Sequence, residues 1–455
     1  MNILLAVIGL GILCLLLEIA SVRKAIVPLS IAGLLGVLVM VAEQFGRVES
    51  HYNDMIVSNP FSVGFSGLFV VLTLFIIILS GEFYKDKTSK ISDFISIKIF
   101  LLAGSIAMVM FGNLAMFFIG IEVLSIALYV LAASDRLSLR SNEAGMKYFL
   151  MGSFASGIIL FGICLIYGAT GSFNVAEIHE LSRSGLIPEW FSIGLVMLLV
   201  GMLFKVAAAP FHFWAPDVYE GSPTMVTATM STLSKVVAIA ALYKLVNELN
   251  ADISVAMQMI IAIVAGASMT VGNVMALKQD NVKRMLAFSG ISHAGYMLMI
   301  LLTTETTGAI LLYYTAAYAL AGIAAFAVIL HVTRNGENES VSLFRGLGKS
   351  NPLMALILTA SFISMAGIPV FAGFFAKFML FTATIEGGYL AVVLIAVINS
   401  IISVGYYFKL VLAMYTQEGG ERRSVPVSYM VVALAAILLN VAIGLFPSLV
   451  VDLLN

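Results

Sequence analysis

The chain has 455 residues, of which 61% are hydrophobic and only 11% are charged, and its mean hydropathy is +1.06. Because an average soluble domain is about 25% charged, this composition excludes an ordinary soluble globule. The formal net charge of −1 gives no basic surface, which excludes nucleic acid as a partner.

Apolar stretches of about 20 residues recur along the whole chain, as in helical proteins that cross a membrane many times. We therefore predict an all-α polytopic membrane protein with about fourteen transmembrane helices in the lipid bilayer. The predicted spans lie near residues 2–20, 25–43, 63–82, 93–112, 113–133, 145–170, 190–220, 223–247, 254–277, 283–303, 306–331, 352–384, 388–415 and 427–450.

The first span has no basic residue ahead of its apolar core, whereas Arg23 and Lys24 follow it directly. This order is the reverse of that in a secretory signal peptide, so we expect a retained first helix. Each loop is numbered by the span that it follows. Over the whole chain, eighteen Lys and Arg residues lie in or near the odd-numbered loops and three lie in or near the even-numbered loops. Since basic residues gather in cytoplasmic loops, we predict that both termini are periplasmic.

Five ionisable residues fall near the middle of predicted spans, namely Glu122, Lys205, Lys235, His293 and Lys377. A charged side chain at the centre of a membrane helix costs about 2.5–3.5 kcal/mol, so the glutamate and three lysines would together cost roughly 10–14 kcal/mol without partners. They are either ion pairs that only hold helices together or a relay of protonatable groups. Their spread over five spans favours the relay, because lysine, unlike arginine, can give up its proton in a buried site.

Two of the predicted spans are interrupted by proline. Pro210 lies in FKVAAAPFHFWAPDVYEGSP (204–223), and Pro369 lies in MAGIPVFAGFFAKFML (365–380). Each proline removes a backbone donor and clashes with the preceding turn, so we expect both helices to break at membrane depth, where protein or cavity water must satisfy the freed groups. Each broken span also carries a deep lysine, Lys205 before its break and Lys377 after it.

The two prolines are 159 positions apart, and the same shift places the fourth predicted span on the ninth. This spacing predicts two five-helix repeats, and the second is inverted because each repeat has an odd number of spans. Inverted repeats that each contain a broken helix are typical of transporters. We divide the chain into an N-terminal three-helix segment (1–92), a first repeat (93–250), a second, inverted repeat (251–416) and a C-terminal helix (417–455).

The stretches FKVAAAPFHFWAPDVYEGSPT, STLSKVV and DNVKRMLAFSGISHAGYM resemble the antiporter-like subunits of respiratory complex I, and the resemblance covers nearly the whole chain. It implies a fourteen-helix subunit of the membrane arm that couples quinone reduction elsewhere in the complex to proton translocation. In this resemblance Glu122 matches the glutamate of the fifth helix, and Lys205 and Lys377 match the lysines of the two broken helices. Lys235 matches the connecting lysine of the eighth helix, and His293 lies on the central hydrophilic axis.

Other residues near the breaks remain open between two interpretations. His212 is either a relay group on the cytoplasmic side or a packed histidine, and we interpret Asp217 and Glu220 as solvated turn residues. Within the resembling family, Lys377 argues against one paralogue, which carries a glutamate there. The end of the chain at Asn455 argues against another, which continues into a long lateral helix.

The resemblance implies a bacterial inner membrane and two kinds of partner, a neighbouring antiporter-like subunit and small membrane-arm subunits. We expect no cofactor in this chain, because the sequence has no Gly-rich phosphate loop, no cysteine cluster and no haem-spaced histidine pair. NADH, FMN, iron–sulfur clusters and quinone would be bound by partner subunits. The alternatives are a subunit of a multi-subunit cation/proton antiporter, the membrane subunit of a hydrogenase, and a scaffold whose buried charges only hold helices.

Overall fold

The structure is a computed structural model that describes residues 2–85, 91–183, 187–249, 255–303, 307–334, 339–416 and 424–454. Asn455 and the basic loop residues within 86–90 and 417–423 lie outside these ranges. The α-helices are α1 (Asn2–Ile19), α2 (Arg23–Gln44), α3 (Pro60–Phe83), α4 (Ile91–Met110), α5 (Leu114–Ala132), α6 (Leu139–Thr170), α7 (Val175–Arg183), α8 (Trp190–Val206), α9 (Trp214–Gly221), α10 (Thr224–Thr229), α11 (Lys235–Leu249), α12 (Val255–Leu277), α13 (Val282–Leu298), α14 (Gly308–Val332), α15 (Leu347–Ser350), α16 (Pro352–Ala366), α17 (Ala372–Glu386), α18 (Leu390–Thr416), α19 (Val427–Leu445) and α20 (Ser448–Val451). Two short strands, β1 (Glu49–His51) and β2 (Ile56–Ser58), complete the regular structure of the described residues.

Within the described residues, twelve helical segments are long and apolar enough to cross a membrane. One of these segments, Thr224–Leu249, joins α10 to α11 through a π-helical stretch, Met230–Ser234. The pairs α8 with α9 and α16 with α17 supply two further, broken crossings. The structure therefore confirms the predicted all-α polytopic fold of about fourteen spans.

Several helices begin where the sequence offers a capping residue. At the start of α3, the Asn59 side chain accepts a hydrogen bond from the Ser62 backbone N–H, and the Ser62 hydroxyl accepts one from the Asn59 backbone N–H. Ser138 caps α6 in a similar way through the N–H of Ser141, and Gly171 ends that helix in the left-handed conformation. These capping residues determine where the helices begin and end, whereas the interior of each span is recognisable by its hydropathy alone.

Two pairs of neighbouring helices cross at glycine. A Cβ atom built on Gly104 of α4 would lie 3.0 Å from the carbonyl oxygen of Gly120 on α5. A Cβ atom on Gly272 of α12 would lie 2.6 Å from the backbone nitrogen of Ser292 on α13. The backbones therefore touch in both pairs, as is common where membrane helices pack closely.

Two elements were missed in the sequence prediction. The hairpin β1–β2 joins α2 to α3, and its turn residues Tyr52, Asn53 and Asp54 all have positive φ. Helix α7 is a nine-residue amphipathic helix between α6 and α8, and it packs against α11. Neither element is long enough to register in a search for apolar spans, although Asn53-Asp54 is a recognisable turn signal.

Candidate functional site

The first broken span opens at membrane depth. Helix α8 ends at Val206, Ala207 adopts a left-handed φ of 62°, and α9 begins at Trp214. Pro210 lies inside this gap, as predicted. The freed groups find partners: the indole N–H of Trp214 donates to the carbonyl of Phe204 at 3.1 Å. A buried break of this kind is tolerated only where the protein satisfies the backbone in this way.

The second broken span opens in the same manner around Pro369. Helix α16 ends at Ala366, Gly367 has a φ of 84°, and α17 begins at Ala372. Glycine suits this position because it adopts positive φ without strain. Here the last carbonyl of the helix, that of Ala366, accepts a hydrogen bond from the ammonium group of Lys377 at 2.9 Å. The second lysine is thus part of the break itself.

Lys205 lies in the last turn of α8 and points at hydroxyl groups. Its Nζ donates to Ser125 at 2.7 Å, to Ser156 at 3.1 Å and to the phenol oxygen of Tyr129 at 3.3 Å. Glu122 is one helical turn from Ser125 on α5, and its Oε1 is buried without a hydrogen-bond partner among the described residues. Glu122 and Lys205 form no direct ion pair in this structure; hydroxyls occupy the contacts of the lysine.

Lys235 begins α11 directly after the π-helical stretch Met230–Ser234. It is buried, and its Nζ donates to the carbonyl of Gly290 on α13 at 2.7 Å. A Cβ atom on Gly290 would lie 3.0 Å from this Nζ and 3.3 Å from the phenol oxygen of Tyr318. The glycine therefore lets a lysine and a tyrosine approach the same point of the backbone, and π-bulges are often found at such functional positions.

His293 lies three residues after Gly290 on α13, inside a group of tyrosines. Its Nδ1 is 3.0 Å from the phenol oxygen of Tyr314, and its Nε2 is 3.4 Å from that of Tyr407. The ring of Tyr318 lies 4.7 Å from the imidazole centre. Both imidazole nitrogens thus face phenol groups that can either donate or accept a proton.

Lys377 lies on the other side of a small cavity from His293. The cavity has a volume of about 10 Å³ and is lined by both residues together with Tyr314 and Tyr318, which gives room for about one water molecule. Lys377 also donates to Ser400 at 2.8 Å, in addition to its bond with the Ala366 carbonyl. A row of polar groups therefore runs from Lys235 past His293 to Lys377.

His212 lies in the gap between α8 and α9. It is buried, its ring stacks on Phe213 at 4.5 Å, and its Nδ1 has no hydrogen-bond partner among the described residues. A histidine that only fills space in a core normally satisfies its nitrogens. Both interpretations of His212, a relay group or a packed histidine, remain predictions.

The interpretation of Asp217 and Glu220 as solvated turn residues was right about solvent contact, since their side chains are 40% and 34% exposed, but wrong about the turn. Both lie on α9 and share one cation: Arg284 of α13 contacts Asp217 at 2.7 Å and Glu220 at 3.0 Å. Lys147 of α6 also contacts Asp217, at 3.0 Å. These pairs tie the outer half of the first broken span to the second repeat, and no pattern within the 204–223 stretch could have indicated partners so distant in sequence.

A polar cavity of about 430 Å³ opens beside these pairs, at the end of the bundle that carries the odd-numbered loops. We call it the loop-side cavity. Its charged lining residues are Glu82, Asp135, Arg140, Glu220, Lys283, Arg334 and Glu339. Lys283 pairs with Glu339 at 2.7 Å. The cavity supplies room for water next to the buried part of the bundle.

Two lysines near the ends of predicted spans, counted with the neighbouring loops in the charge comparison, are buried. Lys98 lies on α4 with 1% of its surface exposed, and its Nζ donates to Ser80 of α3 at 2.7 Å. Lys244 lies on α11 with 3% exposed and donates to the carbonyls of Val109 and Phe111. Hydropathy along the chain indicates only how close each lysine is to the end of its span. Its burial depends on the packing of neighbouring helices, which hydropathy does not show.

The described residues form about fourteen spans, and two of these spans are broken near a proline and carry a lysine next to the break. These features define a helical membrane protein of the ion-transporting class. A family profile described as "NADH:quinone oxidoreductase/Mrp antiporter, TM" matches residues 112–403. The chain belongs to this family. This confirms the resemblance inferred from the motifs around Pro210 and His293.

Individual relatives agree over the full length. A protein of Flavobacterium johnsoniae named NADH-quinone oxidoreductase subunit N is 64% identical over 100% of both chains. Among solved structures, a chain of respiratory complex I from Thermus thermophilus has a TM-score of 0.86 and 30% identity, over 99% of this chain and 98% of that one. A chain of the archaeal membrane-bound sulfane sulfur reductase has a TM-score of 0.89 over 100% and 96% of the two chains, but with 24% identity it shows the shared fold alone.

Proposed function

We propose that this chain is the proton-translocating membrane-arm subunit N of an NADH:quinone oxidoreductase, in which it couples quinone reduction elsewhere in the complex to proton movement. The observation that carries the proposal is the set of buried protonatable groups in both halves of the bundle, in a chain 64% identical to a relative of that name. Such groups are rare in membrane helices and mark ion or proton pathways.

The relay begins at Lys205. In its hydroxyl shell the lysine is stable with its proton, because the oxygens of Ser125, Tyr129 and Ser156 accept its three N–H bonds. The same hydroxyls can also donate to a neutral amine, so the site tolerates both protonation states. Movement of Glu122 towards Lys205 would hold the proton on the lysine, and movement away would release it.

The released proton would pass to Lys235 and then along the polar row of the second half. The contacts suit this path, since Lys235 and Tyr318 meet at Gly290, one helical turn from His293. His293 takes up and releases protons through its two nitrogens, and the small cavity lets one water molecule join it to Lys377. His212 would act at the mouth of the first break.

The remaining parts of the proposal concern the assembly. The redox chemistry would take place in partner subunits that bind NADH, FMN, the iron–sulfur clusters and quinone, while this chain contributes only proton carriers. Its direct partners would be a neighbouring antiporter-like subunit and small membrane-arm subunits. The chain would lie in the bacterial inner membrane with both termini periplasmic, and a reporter fused after Asn455 should then be active only in its periplasmic form.

A second candidate is a subunit of a multi-subunit cation/proton antiporter, because the matching family profile includes Mrp antiporters. The two functions differ in their driving reaction. An oxidoreductase subunit requires partners with flavin and iron–sulfur clusters, whereas an antiporter subunit exchanges ions without electron transfer.

Purification of the chain from its native membrane with an affinity tag separates the candidates. We expect co-purified proteins with flavin and iron–sulfur absorbance, and NADH-driven quinone reduction that acidifies inverted vesicles. Deletion of the gene should abolish this acidification. A purified assembly without flavin that exchanges Na⁺ for protons would contradict the proposed function.

A further inference from the structure

Lys98 is a buried cation that the relay described above does not use. It lies on α4, seven residues from the start of the helix, or about 10 Å along the helix axis. Its Nζ donates to the hydroxyl of Ser80 and lies 4.8 Å from the centre of the Tyr84 ring. Among the described residues, no carboxylate lies within ion-pair distance of it. A lysine so deep and without a counter-ion is costly unless it has a use.

The loop-side cavity reaches this lysine. Tyr84 and Phe94 both line the cavity, and their rings stack at 4.1 Å. Phe94 is one helical turn before Lys98 on α4, and the ring of Tyr84 contacts the ammonium group. Tyr84 therefore contacts both the polar cavity and the buried amine.

The polar atom of Tyr84 is incompletely satisfied. Its phenol oxygen is buried and has no hydrogen-bond partner among the described residues. Buried hydroxyls normally find a partner in protein or water. Because Tyr84 lines the cavity and its ring contacts Lys98, a water molecule held by this oxygen would lie near both the aqueous space and the amine.

We propose that Lys98 is a further proton-carrying residue, which loads protons from the loop-side cavity ahead of the relay; the proposal rests on the proposed function. Water in the cavity gives a proton to the neutral amine past Tyr84, which leaves hydroxide in the cavity and an ammonium group on Lys98. The ammonium group later gives that proton to the carboxylate of Glu122 or the neutral amine of Lys235, and so returns to the neutral amine. Helix α4 packs on α5 and α11, which carry Glu122 and Lys235.

The contrasting role is structural, with Lys98 serving only as a donor to Ser80. Three substitutions separate the two roles. Lys98→Arg keeps the charge and a donor but cannot lose a proton. Lys98→Met keeps much of the volume without charge. Lys98→His restores a group that exchanges protons near neutral pH.

Each variant is measured in the assembled complex, as NADH-driven quinone reduction and proton pumping in membrane vesicles per unit of this subunit on an immunoblot. We expect Lys98→Arg and Lys98→Met to lower pumping by about tenfold or more, and Lys98→His to retain a measurable rate with an altered pH profile. Tyr84→Phe, which removes only the phenol oxygen, should slow pumping by about threefold, the loss of one modest hydrogen bond.

Lys205→Arg is the reference variant in the same vesicles. If Lys205→Arg stops pumping while Lys98→Arg and Tyr84→Phe pump at the wild-type rate, Lys98 is not a carrier and the proposed function stands. If Lys205→Arg also pumps at the wild-type rate, the proposed relay itself fails. Should Lys98→Met not assemble, Lys98→Arg and Tyr84→Phe still decide between the two roles.

Discussion

The two broken spans place their lysines on opposite sides of the break. Lys205 is the penultimate residue of α8, ahead of the gap at Pro210, whereas Lys377 is on α17, beyond the gap at Pro369. The carbonyls freed at the end of α8 are met by backbone N–H groups and by Trp214. At the end of α16, Lys377 itself meets the final carbonyl.

This difference in position produces a difference in the chemistry around each ammonium group. Lys205 contacts only hydroxyls, from Ser125, Ser156 and Tyr129. Lys377 contacts one hydroxyl and the carbonyl of Ala366 at the negative end of a helix dipole. A hydroxyl can donate or accept, but a carbonyl only accepts.

Lys205 and Lys377 are therefore not equivalent. The shell of Lys205 adapts to either protonation state, so this lysine is suited to switching. The contacts of Lys377 join it to the end of α16 and contribute to the stability of the break. We therefore expect substitutions at the second site to affect assembly as well as transport, and those at the first to affect transport alone.

Lys377→Met should have the largest effect. It removes the cation from the C-terminus of α16, an interaction worth up to about 2 kcal/mol in a partly buried site, and it removes a proton carrier. We expect both proton pumping and subunit abundance in membranes to fall. Lys377→Arg should restore abundance but not pumping. Normal abundance of Lys377→Met on an immunoblot would remove the distinction between the two breaks.

Glu122→Gln should lower pumping while the subunit assembles normally. The Glu122 carboxylate has a buried oxygen without a partner among the described residues, so a neutral amide costs little there. The substitution removes the electrostatic effect of the carboxylate on Lys205. We therefore expect pumping to fall about fivefold or more, which corresponds to the lower end of coupling free energies between two sites in a protein. Glu122→Asp is the control, and it should retain part of the wild-type rate.

The hydroxyl shell can be tested by serine-to-alanine substitution. We expect Ser125→Ala and Ser156→Ala each to slow pumping by about threefold and the double variant by about tenfold, since a threefold effect corresponds to about 0.7 kcal/mol, the net worth of one modest hydrogen bond. Ser400→Ala is the matched change at Lys377, where the Ala366 carbonyl remains as acceptor. A larger effect of Ser400→Ala than of the double variant would reverse the comparison.

Trp214→Phe should have the smallest effect. It removes the indole N–H from the Phe204 carbonyl but keeps an aromatic ring, and that carbonyl still accepts from the backbone of Ala207. We expect a loss of about 1 kcal/mol in stability and near-normal pumping. The measurement is the thermal unfolding midpoint of the purified complex. A collapse of assembly would show that the first break depends on this single bond.

The sequence was sufficient to predict the spans, both breaks and the depth of the five ionisable residues. Each of these features has a local cause: lipid requires about 20 apolar residues per crossing, proline removes a backbone donor, and a charge inside an apolar run is visible directly. The family was recognisable for the same reason, since its motifs are continuous stretches around Pro210 and His293.

The partners of those residues could not be predicted, because they are distant in the chain. Ser125 and Ser156 contact Lys205 from two other helices. The sequence of the π-helical stretch Met230–Ser234, which precedes Lys235, does not distinguish it from an ordinary α-helix. Lys98 lies near the end of a predicted span, where a lysine ordinarily reaches water. Only the packing of α3 against α4 shows that it is buried.

The central claim is that Lys205 works by gaining and losing a proton, and Lys205→Arg tests it most directly. Arginine keeps the positive charge and the donors to the surrounding hydroxyls but stays protonated. Pumping and quinone reduction are measured per assembled complex in vesicles, with subunit content checked by immunoblot. We predict normal assembly and a loss of pumping of about tenfold or more. Normal assembly with pumping at the wild-type rate would contradict the account.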